Sequence, residues 1–130
     1  WYDTDYDVTT DDCGFFTGEH QGENNCYAYG TNIATDTYPQ PGRGSGQEWT
    51  SNTCSDMFAA AERDGLSYVG QELQDYMIGP DDGHYVALYI WPNTNFHWAR
   101  MDYNGTYGNN PKGTRRWSHK PGGTEVQITD

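Results

Sequence analysis

The clearest hydrophobic pattern in the chain lies in residues 84–91, where side chains alternate between two predicted faces. Alternation with a period of two is typical of a β-strand. One predicted face carries His84, Val86, Leu88 and Ile90. The other carries Tyr85, Ala87, Tyr89 and Trp91. A turn over residues 92–95 and a returning strand over residues 96–102 then predict an antiparallel hairpin.

Two short helices are predicted ahead of this hairpin. Asn25 is a good capping residue for a helix that begins at Cys26. Thr53 can cap a second helix, whose residues 57–63 are mostly strong helix formers. Gly65 suits the position just past the end of that helix. The Pro- and Gly-rich residues 38–46 between the helices form a loop.

Further strands are predicted over residues 115–119 and 126–128, so helices come first and an antiparallel sheet follows. This order predicts an α+β fold with short N-terminal helices packed on the sheet. With 130 residues the chain has the length of a single domain, residues 1–130. We divide it into an acidic, loop-rich segment (1–24), a helical part (25–66) and the sheet (67–130).

Composition and charge narrow the class of protein. Nineteen Asp and Glu against seven Lys and Arg give a formal net charge of -12. Such a chain is not expected to bind nucleic acid or an anionic membrane surface. Eleven Tyr, five Trp and four Phe nevertheless indicate a folded domain with an aromatic core rather than a disordered chain.

The chain begins with Trp1 and has three cysteines. A start at Trp favours a processed, secreted chain, which we expect to be a monomer. An odd cysteine count favours one disulfide and one free thiol in an oxidising compartment. We favour the pairing Cys13–Cys54, while Cys13–Cys26 and Cys26–Cys54 remain open alternatives.

Cys26 is the first candidate for chemistry. A thiol at a helix N-terminus faces unpaired N–H groups and the positive end of the helix dipole, which lower its pKa. A nucleophilic thiol also needs a neighbouring base. His84, His97 and His119 lie in or beside the predicted strands, and adjacent antiparallel strands can bring two histidines together. The alternative interpretation makes Cys26 a buried small residue or half of a disulfide.

Residues 25–29 (NCYAY), followed by a histidine-bearing antiparallel sheet, resemble the papain-like superfamily and most of all its small secreted amidases and peptidases. The resemblance covers about residues 24–122. Segments 96–102 and 117–122 are similar to uncharacterised secreted bacterial proteins. The loop at residues 39–46 also resembles segments of some mollusc shell-matrix proteins.

The papain-like resemblance implies a cysteine amidase or peptidase that acts on a peptide, peptidoglycan or glycan substrate without a required cofactor. The Cys26 thiolate would attack an amide carbonyl, with imidazole as base and then acid. In one assignment His84 is the base and His97 orients it. In the favoured assignment His97 is the base and His119 or an acid orients it. Gln21 and the N–H of Cys26 would stabilise the oxyanion.

The acidic segment is a candidate metal site. Its spaced carboxylates suit Ca²⁺ and comprise Asp3, Asp5, Asp7 and Asp11. An EF-hand loop is not complete here, because glycine and glutamate are missing at their required positions. A solvated acidic segment is the simpler alternative. Zinc is not favoured, because no C-x-x-C or H-x-x-x-H spacing exists.

The aromatic residues supply a second hypothesis for function. Tyr85, Tyr89 and Trp91 share one predicted strand face, which Phe96 and Trp98 could extend from the partner strand. An open face of this kind would stack on sugars or peptides, whereas a covered one would be a second core layer. The alternative to an enzyme is therefore a non-catalytic extracellular module that binds calcium, glycan or mineral.

Overall fold

The structure is a computed structural model and describes residues 16, 18–71, 84–104 and 114–129. Two helices precede a four-stranded antiparallel sheet with strand order β1-β2-β3-β4. The predicted α+β class is therefore confirmed. The elements are α1 (Cys26–Thr31), α2 (Cys54–Arg63), β1 (Val86–Trp91), β2 (Asn95–Asn104), β3 (Thr114–His119) and β4 (Gln127–Thr129).

Both helices begin where their capping residues predict. The Asn25 side chain accepts a hydrogen bond from the N–H of Ala28, and the Thr53 hydroxyl accepts one from the N–H of Asp56. Each bond satisfies one of the N–H groups left without a partner at a helix start. Gly65 follows the end of α2 with a φ of 101°, as expected for a residue at this position.

The two faces of the sheet have different neighbours. Tyr27 of α1 packs on Trp98 of β2, with ring centroids 5.2 Å apart. The hydroxyls of Tyr29 in α1 and Ser118 in β3 are hydrogen-bonded at 2.6 Å. We call this side the inner face. The opposite side, which carries Tyr89, is the outer face.

A close approach between α1 and the sheet explains a glycine within the helix. A Cβ added at Gly30 would lie 3.2 Å from the Cβ of Trp98, which is tighter than nine in ten natural Cβ contacts. The small residue therefore lets α1 lie directly on β2. This approach fixes which strand residues face the helix.

An aromatic and aliphatic core fills the space between the helices and the inner face. Its buried members are Cys26, Tyr27, Met57, Ala61 and Trp98. Partly buried side chains packed against them include Val86, Leu88, Ile90 and Phe96. A second cluster contains Phe16, Ala28, Tyr29 and Ala34. The core thus joins both helices to the first hairpin.

The hairpin corrects one prediction about the faces. A turn over residues 92–95 would pair Trp91 with Phe96, but the structure pairs Trp91 with Asn95 and ends the turn one residue earlier. Because a one-residue shift moves side chains to the other face, Phe96 and Trp98 lie on the inner face. They therefore do not extend the surface of Tyr89 and Trp91.

Within the described part of the chain, none of the helices has the length and apolar character needed to cross a membrane.

Candidate functional site

Cys26 is the first residue of α1 and lies in the core. Its side chain packs in the cluster that contains Trp98, and only 9% of the residue is exposed. The cap provided by Asn25 is held in turn by a 2.9 Å hydrogen bond from its amide to the carbonyl of Pro39. The predicted position at a helix start is therefore confirmed, but it is a buried position.

Burial controls the ionisation of this thiol. It raises the pKa of Cys26 above its ordinary value, although hydrogen bonds from backbone N–H groups and the charge of Lys120 act in the opposite direction. Desolvation disfavours the charged form of a thiol, and here it outweighs the helix start. The expected low-pKa thiolate is thus not found.

His97 and His119 form a contact on the outer face. The Nε2 atom of His97 lies 2.8 Å from Nδ1 of His119, and the rings are nearly perpendicular. The register places His97 opposite Tyr89 and His119 opposite Ala99. Burial and the neighbouring His119 lower the pKa of His97, which favours its neutral form. This contact confirms the prediction that adjacent strands bring two histidines together.

The sheet separates this histidine pair from the thiol. Trp98 packs against Cys26, and the next residue along β2, His97, points to the other face because strand side chains alternate. The structure therefore does not bring Cys26 and His97 together. A cysteine nucleophile and its base must lie within hydrogen-bond reach of one another.

His84 and Gln21, the other predicted catalytic residues, contact groups other than the Cys26 thiol. The Nε2 atom of His84 lies 2.7 Å from the carbonyl oxygen of Gly30, at the far end of α1 from Cys26. Gln21 begins a 3-10 turn, and its carbonyl accepts a hydrogen bond from Lys120. Among the residues that the structure describes, none forms a hydrogen bond with the Gln21 side chain. One predicted assignment made His84 the base and His97 the residue that orients it. In the structure these two histidines lie on opposite faces of the sheet.

The difference in burial between two thiols gives a first prediction. Cys54 is exposed and Cys26 is buried, and both are free. We expect an alkylating reagent to label Cys54 at least about tenfold faster than Cys26 in the native chain, because the accessible thiolate is the reactive species. Peptide mapping after timed labelling measures both sites in one sample. Faster labelling of Cys26, with an inflection well below pH 8, would restore the activated-nucleophile hypothesis.

The same two thiols bear on the disulfide prediction. Cys26 and Cys54 are not joined to one another or to any other residue in the structure. The alternative pairings Cys26–Cys54 and Cys13–Cys26 are therefore both wrong, because Cys26 is free. The favoured pairing Cys13–Cys54 is also not formed in this structure, and Cys13 itself lies outside the described residues.

The outer face carries an exposed aromatic pair. Tyr89 and Trp91 lie two residues apart on β1, with 50% and 53% of their surface exposed. Toward the other end of the same face, Ala99 and Met101 are buried. The accessible part of the outer face is thus the end that holds Tyr89, Trp91 and the nearby His97.

Lys120 is a buried residue that the sequence patterns do not single out. It directly follows β3, is fully buried, and its Nζ donates hydrogen bonds to three carbonyl oxygens, those of Gln21, Asn24 and Gly122. Burial lowers its pKa to about 8 against an opposing contribution from Cys26. The alternation of the predicted strand over residues 115–119, which places Lys120 on the same side as Ser118, is the sequence signal that could have located it.

The predicted calcium ligands cannot be compared with the structure. Asp3, Asp5, Asp7 and Asp11 all lie outside the described residues. Calcium binding by the acidic segment therefore stays a prediction.

Comparison with known proteins gives one informative similarity. The chain is 39% identical over 112 residues to "Insoluble matrix shell protein 1" of Ruditapes philippinarum. The alignment covers 85% of this chain, and the chain spans 64% of the length of that relative. No family model and no solved structure matches the chain.

Proposed function

We propose, from the similarity to a shell matrix protein and from the outer face, that this chain is a secreted, non-catalytic module of an extracellular matrix protein that binds glycan. Tyr89 and Trp91 are the observation on which the proposal depends. Each is half-exposed, and they lie side by side on one face of β1. Aromatic rings presented in this way stack against the flat apolar faces of sugar rings.

Polar groups for the sugar hydroxyls lie next to these rings. His97 is directly opposite Tyr89 in the sheet, and His119 contacts His97 at 2.8 Å. The pKa of His97 is lowered, which favours a neutral imidazole that offers one donor and one acceptor nitrogen. Large aromatic surfaces beside a few polar groups are the usual composition of a carbohydrate or small-ligand surface.

The charge of the chain selects among glycans. A net charge of -12 disfavours the approach of anionic polysaccharides to the chain. Neutral, β-linked polysaccharides are therefore the favoured class, because their extended chains present successive flat sugar faces to a row of aromatic rings.

The cysteine amidase interpretation is the less favoured reading of the same fold. It would require the Cys26 thiol to meet an imidazole on the inner face, where His84 contacts the carbonyl of Gly30. It would also require a thiolate at a buried position whose pKa is raised. Membership of the papain-like superfamily and a peptide or peptidoglycan substrate remain predictions from the resemblance.

Glycan binding by the outer face can be tested with two aromatic variants. We expect the chain to bind a neutral β-linked hexasaccharide, such as cellohexaose or its N-acetylglucosamine counterpart, and Trp91→Ala to weaken binding at least about tenfold, as loss of a central aromatic contact does. Isothermal titration calorimetry measures the affinity. Tyr68→Ala is the matched control, because Tyr68 is 52% exposed and its ring packs on Phe58 of α2 rather than on Tyr89 or Trp91.

Two results would contradict the proposal. One is binding of the hexasaccharide that Trp91→Ala and Tyr68→Ala reduce equally. The other is absence of binding by both neutral probes together with hydrolysis of a peptide or peptidoglycan substrate that Cys26→Ala abolishes.

A further inference from the structure

Three side chains of the types that bind metal ions come together from the segments before and after α1. His20 precedes the 3-10 turn Gln21–Glu23, and Asp36 lies in the loop after α1. The Nδ1 atom of His20 is 2.9 Å from Oε2 of Glu23 and 3.3 Å from Oδ2 of Asp36. One ligand atom from each of the three residues lies within 4.8 Å of the others.

A buried side chain holds the two segments of this group together. Asn24 is fully buried, and its amide donates to the carbonyl of His20 at 3.2 Å and to Oδ1 of Asp36 at 3.1 Å. Its Oδ1 atom accepts from the N–H groups of Thr35 and Asp36. Asp36 keeps Oδ2 toward His20 while Oδ1 is bound to Asn24. Asn24 thus holds the backbone at His20 and the carboxylate of Asp36 in fixed positions relative to one another.

We propose that His20, Glu23 and Asp36 form a binding site for a divalent transition metal, and that Zn²⁺ is the ion it fits best. Two ligand atoms in a tetrahedral zinc site are about 3.3 Å apart when each bond is about 2.0–2.1 Å long. The separations of 2.9 Å and 3.3 Å from the imidazole nitrogen are near this value. Small movements of two exposed carboxylates complete the geometry.

The chemistry of the ligands selects zinc over calcium. Calcium takes six to eight oxygen ligands, whereas an imidazole nitrogen with two carboxylates suits zinc. Three protein ligands leave a fourth tetrahedral position for water. The site is open to solvent, since about a third of the His20 side chain and more of the two carboxylates are exposed.

The other nitrogen of the imidazole gives an independent indication. Nε2 of His20 lies 3.4 Å from Oε1 of Glu19, on the opposite side of the ring from the metal ligands. A carboxylate on the remote nitrogen is the usual second partner of a zinc-bound histidine, where it fixes the tautomer and raises the basicity of the ligand.

Titration of the full chain with ZnCl₂ tests this site. We expect saturable binding of one Zn²⁺ that Asp36→Asn weakens at least tenfold and Glu19→Gln weakens by about 10–100-fold, the usual effect of a missing outer partner. Asn keeps the left-handed backbone of residue 36, where φ is 53°, and can still accept from Asn24. Glu62→Gln, which removes an exposed carboxylate from α2, is the control and should leave the affinity unchanged.

His20→Asn provides a second variant, and circular dichroism verifies that each variant is folded. A Zn²⁺-dependent shift of the His20 imidazole resonances in the unaltered chain supports the site without any substitution. The proposal is overturned if Zn²⁺ does not bind, or if it binds equally well to the unaltered chain and to the folded Asp36→Asn and His20→Asn variants. Calcium binding that these variants weaken, without zinc binding, would also overturn it. Each result is independent of glycan binding by Trp91.

Discussion

Replacing Lys120 with Met is expected to destabilise the chain by about 3–5 kcal/mol. The ammonium donates to the carbonyls of Gln21, Asn24 and Gly122 in a fully buried position. Met fills much of the same volume but donates no hydrogen bond. Each carbonyl left without a partner costs roughly 1–3 kcal/mol when water cannot replace the lost donor.

Urea unfolding at pH 7 measures this effect as a shift of the transition midpoint. Arg43→Met is the matched control, because Arg43 is an exposed cation paired with Glu48 at 3.1 Å. An exposed ion pair contributes at most about 1 kcal/mol, so the control should change stability little. If Lys120→Met and Arg43→Met lowered the free energy of unfolding equally, the three hydrogen bonds of Lys120 would not stabilise the chain.

Replacing Asp64 with Ala is expected to cost about 3 kcal/mol of stability. One carboxylate oxygen of Asp64 accepts from the hydroxyl of Tyr27 at 2.6 Å and from the N–H of Gly42 at 2.7 Å. It thereby joins α1, the end of α2 and the loop that contains Gly42. Hydrogen bonds to a charged acceptor are stronger than neutral ones, and both would be lost together.

The loop that contains Gly42 cannot easily replace its hydrogen bond to Asp64 with another one. Gly42 has a φ of 84°, and a Cβ at this residue would lie 2.0 Å from the carbonyl oxygen of Gln47. The N–H of Gly42 is therefore fixed in direction and needs its acceptor. Tyr27→Phe removes only one of the two bonds and should cost about 1–2 kcal/mol.

Thermal and urea unfolding of the variants separate these effects. Glu62→Ala, an exposed change in the last turn of the same helix, is the control and should stay within about 0.5 kcal/mol of the unaltered chain. If Asp64→Ala is no more destabilising than Tyr27→Phe, then the hydrogen bond from the N–H of Gly42 to Asp64 contributes no stability. The proposal that Asp64 links α1, α2 and the Gly42 loop would then be wrong.

Local signals in the sequence predicted most of the fold. Asn25 and Thr53 are capping residues whose hydrogen bonds are made within three residues, so the helix starts follow directly from the sequence. The hairpin is equally local. Its register was not predictable to one residue, because a turn of three or four residues fits the segment after Trp91 equally well and only packing of Trp98 on α1 decides between them.

The candidate site depends on contacts that no spacing in the sequence encodes. The low pKa expected for Cys26 follows from its helix position alone, but burial by the sheet reverses the direction. The contact between His97 and His119 was predictable from adjacent strands, whereas its separation from Cys26 follows from the side on which α1 packs. Asp36 is sixteen positions from His20 along the chain, so a metal-site pattern could not connect them.

The central claim is that the outer face, and not the surroundings of Cys26, binds the ligand. Backbone and aromatic NMR resonances recorded during titration with a neutral β-linked hexasaccharide test it residue by residue. The account predicts that perturbations concentrate at Tyr89, Trp91 and His97 and leave α1 (Cys26–Thr31) unchanged. Perturbations centred on Cys26 and His84, with Tyr89 and Trp91 unaffected, would contradict it.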